Sequence, residues 1–309
     1  MTTTRAPRLA EAIATRPVVL DGGLATRLEA RGNDLSSALW SARLVLDDPA
    51  EVVAAHRDFF AAGAEVATAA SYQASFEGLA GIGLDRDAAA DVMRRSVALA
   101  ARARDEATAE DGAPRWVAAS IGPYGAALAD GSEYRGDYGL TVDDLRRWHR
   151  PRLEVLAGAG ADVLALETIP CAAEAEALLA EIDGLGVPTW LSLTCAGGRT
   201  RAGEQVGAVF AMARDVADLI AVGVNCCDAA EVADLLGSAT EASGKPGVAY
   251  PNSGEGWDAV ARSWTGSSTF DTADVDSWLV SGARLVGGCC RVGPGDIAAI
   301  AAHLHPAIN

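Results

Sequence analysis

Three short stretches of this chain repeat one junction: Ala62-Gly63-Ala64-Glu65-Val66, Ala159-Gly160-Ala161-Asp162-Val163 and Ser281-Gly282-Ala283-Arg284-Leu285. Each closes a helix-length segment and opens an apolar run, and glycine at such a point caps the helix in a left-handed conformation. Eight strand-like runs can be read along the chain: Val18 to Gly23, Glu65 to Tyr72, Trp116 to Tyr124, Val163 to Ile169, Thr189 to Cys195, Ala221 to Cys227, Pro246 to Asn252 and Arg284 to Cys290. Helix-length segments separate them, among them Pro49 to Ala62, Arg86 to Ala107, Val142 to Ala157, Ala173 to Ile182, Glu231 to Ser243 and Pro294 to His303. Pro49 and Pro294 suit a first helical turn, where the missing N–H has no intrahelical partner anyway. Eight strands alternating with helices, with no long linker or low-complexity stretch, predict one (β/α)8 TIM barrel as a single domain over residues 1–309. A doubly wound sheet is the alternative. Asp21-Gly22-Gly23-Leu24 has the strand and glycines of a phosphate loop but neither a Walker lysine nor the GxGxxG spacing.

Barrel enzymes carry their chemistry at the carboxyl ends of the strands. Here those ends read Asp21-Gly22-Gly23, Ser71-Tyr72-Gln73, Gly122-Pro123-Tyr124, Glu167-Thr168, Asn225-Cys226-Cys227, Tyr250-Pro251-Asn252-Ser253-Gly254 and Gly287-Gly288-Cys289-Cys290. Strand five, ending at Cys195, offers little else. Four of the six cysteines therefore stand in two adjacent pairs at strand ends. Gly287-Gly288 would free the backbone to turn both neighbouring sulfurs toward one ion. A third thiolate from the other pair would make a three-sulfur zinc site with its fourth tetrahedral position open, which is the form of a catalytic site. The spacing is not that of a zinc finger or ribbon. Small buried hydrophobes and a redox pair are the other readings of the same cysteines.

Composition bounds the setting. No run of about 18 apolar residues is present to span a bilayer, and the start MTTTRAPRLAEAIATRP lacks the apolar core of a signal peptide, so a cytoplasmic protein is expected. Six cysteines in 309 residues are too sparse for a secreted disulfide framework. A net charge of −17, from 42 acidic and 25 basic residues, argues against nucleic acid or an anionic membrane as partner. Oligomeric state is not legible in it.

Three thiolates place net negative charge on zinc and make it a weak activator of water, so a better task for it is to hold another thiolate. A substrate thiol there would lose its proton despite an ordinary pKa of about 8.5. Sulfur attack on carbon is the expected reaction, with hydrolysis the competing one. Barrel hydrolases usually need histidine or carboxylate ligands. Only four histidines exist: His56 and His149 fall in helical segments and His303 and His305 near the end, all read as surface or packing residues.

Asp21-Gly22-Gly23, Ala70-Ser71-Tyr72-Gln73-Ala74, Gly223-Val224-Asn225-Cys226 and Gly287-Gly288-Cys289-Cys290 together resemble the zinc-dependent homocysteine S-methyltransferases. SIGPYGAALADGSEYRGDYG from Ser120, HRPRLEVLAGAGADVLALET from His149 and YPNSGEGWDAVARSW from Tyr250 are similar to the branch that uses S-methylmethionine as donor. The resemblance runs from about the first strand to the last helix. It implies a Zn2+ cofactor held by Cys226, Cys289 and Cys290, with Cys227 a spare thiol pointing away and Cys171 and Cys195 buried or incidental. It further implies that the Asp21 and Gly22 amides meet the homocysteine carboxylate and that Glu167 takes its ammonium, assisted by the Val286 carbonyl. Asp21 itself would stand behind the substrate or only set the turn. A sulfonium methyl donor is a cation, which aromatic faces and carboxylates can hold; Tyr72, Trp40, Tyr124, Glu133, Tyr138 and Tyr250 are the candidates. The expected activity is methyl transfer from S-methylmethionine to homocysteine. The alternatives are S-adenosylmethionine or another donor, a selenocysteine or selenohomocysteine acceptor, and a zinc-binding or redox-sensing protein without turnover.

Overall fold

In a computed structural model, which describes residues 8–35, 41–258 and 263–306, eight parallel strands form one sheet. They are β1 Val18–Val19, β2 Val66–Thr68, β3 Trp116–Ile121, β4 Val163–Ile169, β5 Thr189–Leu193, β6 Leu219–Asn225, β7 Gly247–Tyr250 and β8 Ala283–Val286. Their order is β1-β8-β7-β6-β5-β4-β3-β2, and a bridge from Leu20 to Val66 joins the two outer strands into a ring. This is the (β/α)8 barrel, and the doubly wound alternative falls because an open sheet would leave β1 and β2 apart.

The helix–glycine–strand junctions behave as their composition requires. Gly63, Gly160 and Gly282 have φ of 97°, 85° and 101°, a region open to glycine at little cost. Pro49 and Pro294 stand at the starts of helices Pro49–Ala61 and Pro294–Leu304. The helix Val142–Ala157 has its predicted limits and begins on a reciprocal Thr141–Asp144 cap. Helix Arg86–Asp111 outruns its predicted end at Ala107, stopping only at the left-handed Gly112.

Several strands are shorter than predicted, because the polar residues at their carboxyl ends leave the ladder to build the mouth. Strand β2 stops at Thr68, β3 at Ile121 and β8 at Val286. Strand β5 stops at Leu193, and Cys195 belongs instead to a small hairpin of Cys195–Ala196 with Arg199–Thr200.

Side chains alternate across a strand, so every second residue points into the barrel. Val66, Trp116, Ala118, Val163, Ala165, Trp190, Ala221, Val248 and Leu285 form the apolar interior, and Leu9, Ala12 and Ile13 of the helix Leu9–Thr15 pack into the same cluster. Continuing the alternation one step toward the carboxyl ends gives Thr68, Ser120, Glu167, Ser192 and Tyr250, and two steps on from Ala221, past Gly223, gives Asn225. The barrel is thus filled with hydrocarbon below and with polar groups above. Gly223 lies in this stack because a Cβ there would collide with the Val248 carbonyl oxygen of the neighbouring strand.

Candidate active site

Cys226 follows β6 and the pair Cys289-Cys290 follows β8. Their three Sγ atoms lie within 4.8 Å of one another. Those of Cys226 and Cys289 touch as in a disulfide, with Cα atoms 5.6 Å apart. The loop after β7 sets the second pair: the Pro251 carbonyl accepts the Cys289 amide at 2.8 Å, the Asn252 side chain accepts that of Cys290 at 3.1 Å, and the Ser253 amide donates to the Cys290 carbonyl at 3.0 Å. Gly287 and Gly288 are not left-handed. The left-handed residues are Cys226 (φ 49°) and Arg291 (φ 66°). What Gly288 supplies is room, since a Cβ on it would run into the Val292 side chain.

A pocket opens beside the sulfurs, lined by Asp21, Gly22, Tyr72, Glu167 and Tyr250. Both carboxylates are buried, and burial pushes each up to about 7. Asp21 faces back toward β2, accepting the Thr68 amide at 2.7 Å and the Thr68 hydroxyl at 2.8 Å. Glu167 accepts the Ser120 hydroxyl and lies against the Tyr250 phenol. That phenol is itself held by Ser192 at 2.6 Å and by the Trp190 indole N–H at 3.1 Å. Strand five is therefore not idle. Ser192 serves this layer, and the Thr194 hydroxyl donates to the Cys226 carbonyl at 3.1 Å.

Glu133 and Tyr134 close another side of the pocket. One Glu133 carboxylate oxygen is buried with no hydrogen-bond partner among the described residues, and burial raises this carboxyl above its ordinary range. Tyr134 went unnoticed in the sequence beside Tyr124 and Tyr138, yet it is the one of the three that lines the pocket. Tyr124 and Tyr138 pack edge to face at 5.3 Å outside the lining, with Trp148 against Tyr124 at 5.2 Å. Val286 is also outside it; its carbonyl accepts the Leu20 amide at 2.8 Å in the sheet. Gly23 donates to the Val292 carbonyl at 3.0 Å, and the Asp21 amide lies against its own carboxylate. Trp40 lies outside the described residues.

The remaining cysteines and histidines stand apart from the sulfur cluster. Cys171, Cys195 and Cys227 are buried free thiols, and Cys227 packs in the apolar layer outside the barrel. His303 pairs with Asp276 at 2.8 Å near the surface. His149 takes the packing alternative, fully buried against Glu174 at 2.8 Å, and His56 is fully buried as well. Arg152, from the same helix as His149, was missed in the sequence. Its buried guanidinium donates to the carbonyls of Gly122 at 2.9 Å and Tyr72 at 3.1 Å, tying together the loops after β3 and β2.

Fold and site together define a (β/α)8 barrel enzyme that gathers sulfur donors and buried carboxylates at its carboxyl mouth. Residues 18–304 match the family model described as homocysteine S-methyltransferase. The chain belongs to the homocysteine S-methyltransferase family. It is 41% identical over 294 residues to the Bacillus subtilis homocysteine S-methyltransferase YbgG, covering 92% of this chain and 93% of that one. It is 38% identical over 301 residues to a selenocysteine Se-methyltransferase of Brassica oleracea, covering 91% and 87%. The metallated crystal form of the Escherichia coli homocysteine methyltransferase MmuM superposes with a TM-score of 0.84 at 38% identity, covering 93% of this chain and 96% of that one. Among the described residues no helix is long and apolar enough to cross a membrane.

Proposed function

We infer that this chain transfers a methyl group from S-methylmethionine to the thiolate of homocysteine, forming methionine, with zinc held by Cys226, Cys289 and Cys290. The observation that carries the reading is the convergence of those three sulfurs on a pocket whose far walls are buried carboxylates and aromatic rings.

The donor set suits zinc. Zn–S bonds of about 2.3 Å in a tetrahedron require sulfurs about 3.8 Å apart, and soft thiolates favour zinc over magnesium or calcium. Three sulfurs within 4.8 Å reach that spacing by small side-chain adjustments once all are thiolates. Zinc, when bound, supplies stabilisation of a substrate sulfur as thiolate at neutral pH.

The chain's own groups do the rest. Glu167 meets the homocysteine ammonium, because a buried cation requires a paired anion, and the Asp21 and Gly22 amides meet its carboxylate. Tyr72, Tyr134 and the unpartnered oxygen of Glu133 form a cation-holding wall for the sulfonium; Tyr250 orients Glu167, and Tyr124 and Tyr138 back the wall from outside. The acceptor sulfur attacks the methyl carbon as the carbon–sulfonium bond breaks, and that electron pair neutralises the leaving sulfur. No proton is delivered to the leaving group, so positioning and exclusion of water are what the pocket contributes.

The test is metal analysis with steady-state kinetics on S-methylmethionine and S-adenosylmethionine side by side. One zinc per chain, turnover preferring S-methylmethionine, and loss of metal and turnover in Cys289→Ser are expected. Full activity in that variant would sink the zinc mechanism, and a preference for S-adenosylmethionine would reassign the donor. The resemblance to a selenocysteine Se-methyltransferase favours one further reading of the acceptor, in which a selenol one carbon shorter is taken; including it in the same assay decides between them.

A further inference from the structure

Besides Arg291, two residues at the mouth have backbones that their side chains disfavour. Thr168 has φ 61° and Cys226 has φ 49°. A β-branched residue at positive φ is a true outlier and persists only where its surroundings enforce it. One side chain does so here. The Thr168 amide donates to Asn225 Oδ1 at 2.7 Å, and Asn225 Nδ2 donates back to Thr168 Oγ1 at 2.7 Å. Ser192 adds a third bond, donating to Asn225 Oδ1 at 2.8 Å. Asn225 and Thr168 are both buried. Asn225 ends β6 and Thr168 belongs to β4, and β5 lies between those strands, so the pair reaches across the strand that both adjoin.

The neighbours of the pair give it meaning. Thr168 follows Glu167, and Asn225 precedes Cys226. The reciprocal bonds therefore fix the carboxylate that meets the acceptor's ammonium relative to a cysteine at the corner that takes its sulfur. We propose that Asn225 is a positioning residue that sets this span and thereby selects the acceptor by the number of carbons between sulfur and ammonium, homocysteine over its one-methylene-shorter homologue cysteine. The inference rests on the homocysteine reading above. Its physical basis is that a misplacement on the order of 1 Å can lower a rate by on the order of 100-fold.

The experiment compares wild type, Asn225→Ala, Thr168→Val, Thr168→Gly and the double variant Asn225→Ala/Thr168→Gly, with homocysteine and cysteine as acceptors. Thermal midpoints, zinc content, calorimetric homocysteine binding and hydrogen exchange at the Thr168 amide are read in parallel. Asn225→Ala is expected to lower kcat/KM for homocysteine by about 10- to 100-fold, mostly through KM, and to shrink the preference over cysteine by at least about fivefold. Homocysteine binding should weaken in step, and the Thr168 amide should lose protection. Glycine adopts positive φ without enforcement, so the double variant should recover several-fold in both kcat/KM and preference relative to Asn225→Ala. Thr168→Val, which removes the hydroxyl's bonds to Asn225 and to the Tyr72 phenol but keeps the amide bond, should move both quantities the same way by a smaller factor and keeps the question decidable if Asn225→Ala does not fold. An unchanged homocysteine-to-cysteine preference in Thr168→Val and Asn225→Ala, or a lowered thermal midpoint with no recovery in the double variant, overturns the proposal and leaves the pair a structural clamp. A wild-type chain that forms no methionine would overturn the homocysteine reading itself, a separate result visible before any variant is made.

Discussion

Replacing Glu167 with Gln keeps the shape of the buried group and its acceptor for the Ser120 hydroxyl, and removes only the charge. With homocysteine bound, that leaves an ammonium in a buried pocket without its counter-ion, a loss of about 2 kcal/mol or more, or on the order of 30-fold in kcat/KM. A second magnitude follows from burial, which raises Glu167 to about 7 from an ordinary value of 4.5. Only the ionised form attracts the ammonium, and a group with that pKa is about one-tenth ionised at pH 6 and about nine-tenths at pH 8. The advantage of wild type over the variant should therefore grow about tenfold from pH 6 to pH 8. Taking the ratio of the two enzymes cancels the ionisation of the substrate thiol, which both share. The assay is methionine formation at subsaturating homocysteine across that range, with the donor saturating. A wild-type to variant ratio that stays flat with pH, or a variant as active as wild type, would refute the assignment of Glu167 to the ammonium.

Three further outcomes are expected. His56 is fully buried with neither ring nitrogen partnered among the described residues, and burial lowers it to about 4 from 6.5. The unfolded chain takes up the proton first, so stability is intact above about pH 6.5 and falls by about 3 kcal/mol as the pH drops to 4; His56→Leu should raise the thermal midpoint and flatten this acid limb, and a midpoint that drops would show an unseen partner. Glu133→Gln should raise KM for S-methylmethionine about tenfold while leaving homocysteine binding unchanged by calorimetry, as removal of one partly buried carboxylate from a cation's wall requires; equal effects on both substrates would count against a donor-side role. Cys227→Ala should retain wild-type zinc stoichiometry, since that sulfur packs among apolar side chains outside the barrel, and metal lost from this variant would make Cys227 a ligand.

The barrel was legible because its strands announce themselves twice, by a β-branched run and by the polar residues that end it. Val163–Ile169 and Val142–Ala157 have the limits that pattern predicts. Strand ends were overextended wherever a mouth residue still looked strand-like, as at Ser71-Tyr72 and Gly287-Gly288, because periodicity does not record where a chain leaves the ladder. The carboxylates Asp21 and Glu167 and the aromatic Tyr72 were placed at the mouth by position, while the substrate roles of Asp21 and Glu167 needed the family resemblance. Choosing Cys226, Cys289 and Cys290 from six cysteines needed the family resemblance. Tyr134 was out of reach: the loop from Tyr124 to Tyr138 has no regular period, and a 3-10 turn at Ser132–Tyr134 after the left-handed Ala129 and Gly131 decides which ring turns inward. Thr168 was equally hidden, since nothing in its local sequence signals a positive φ that a side chain two strands away enforces.

The closing seam of the barrel is also its thinnest. Strand β1 pairs with β8 at Val18–Leu285 and Val19–Val286, and it meets β2 at the Leu20–Val66 bridge and through the Glu65 amide on the Val19 carbonyl at 2.8 Å. Asp21 and Gly22 stand just past one side of that seam and Cys289 and Cys290 just past the other. An acceptor held by its carboxylate on the first side and its sulfur on the second is a suture between the two ends of the polypeptide. Loading should therefore slow hydrogen exchange at Val18–Leu20 more than at β4 or β5, so that the amino-terminal strand is locked into the ring by the very molecule it helps to bind.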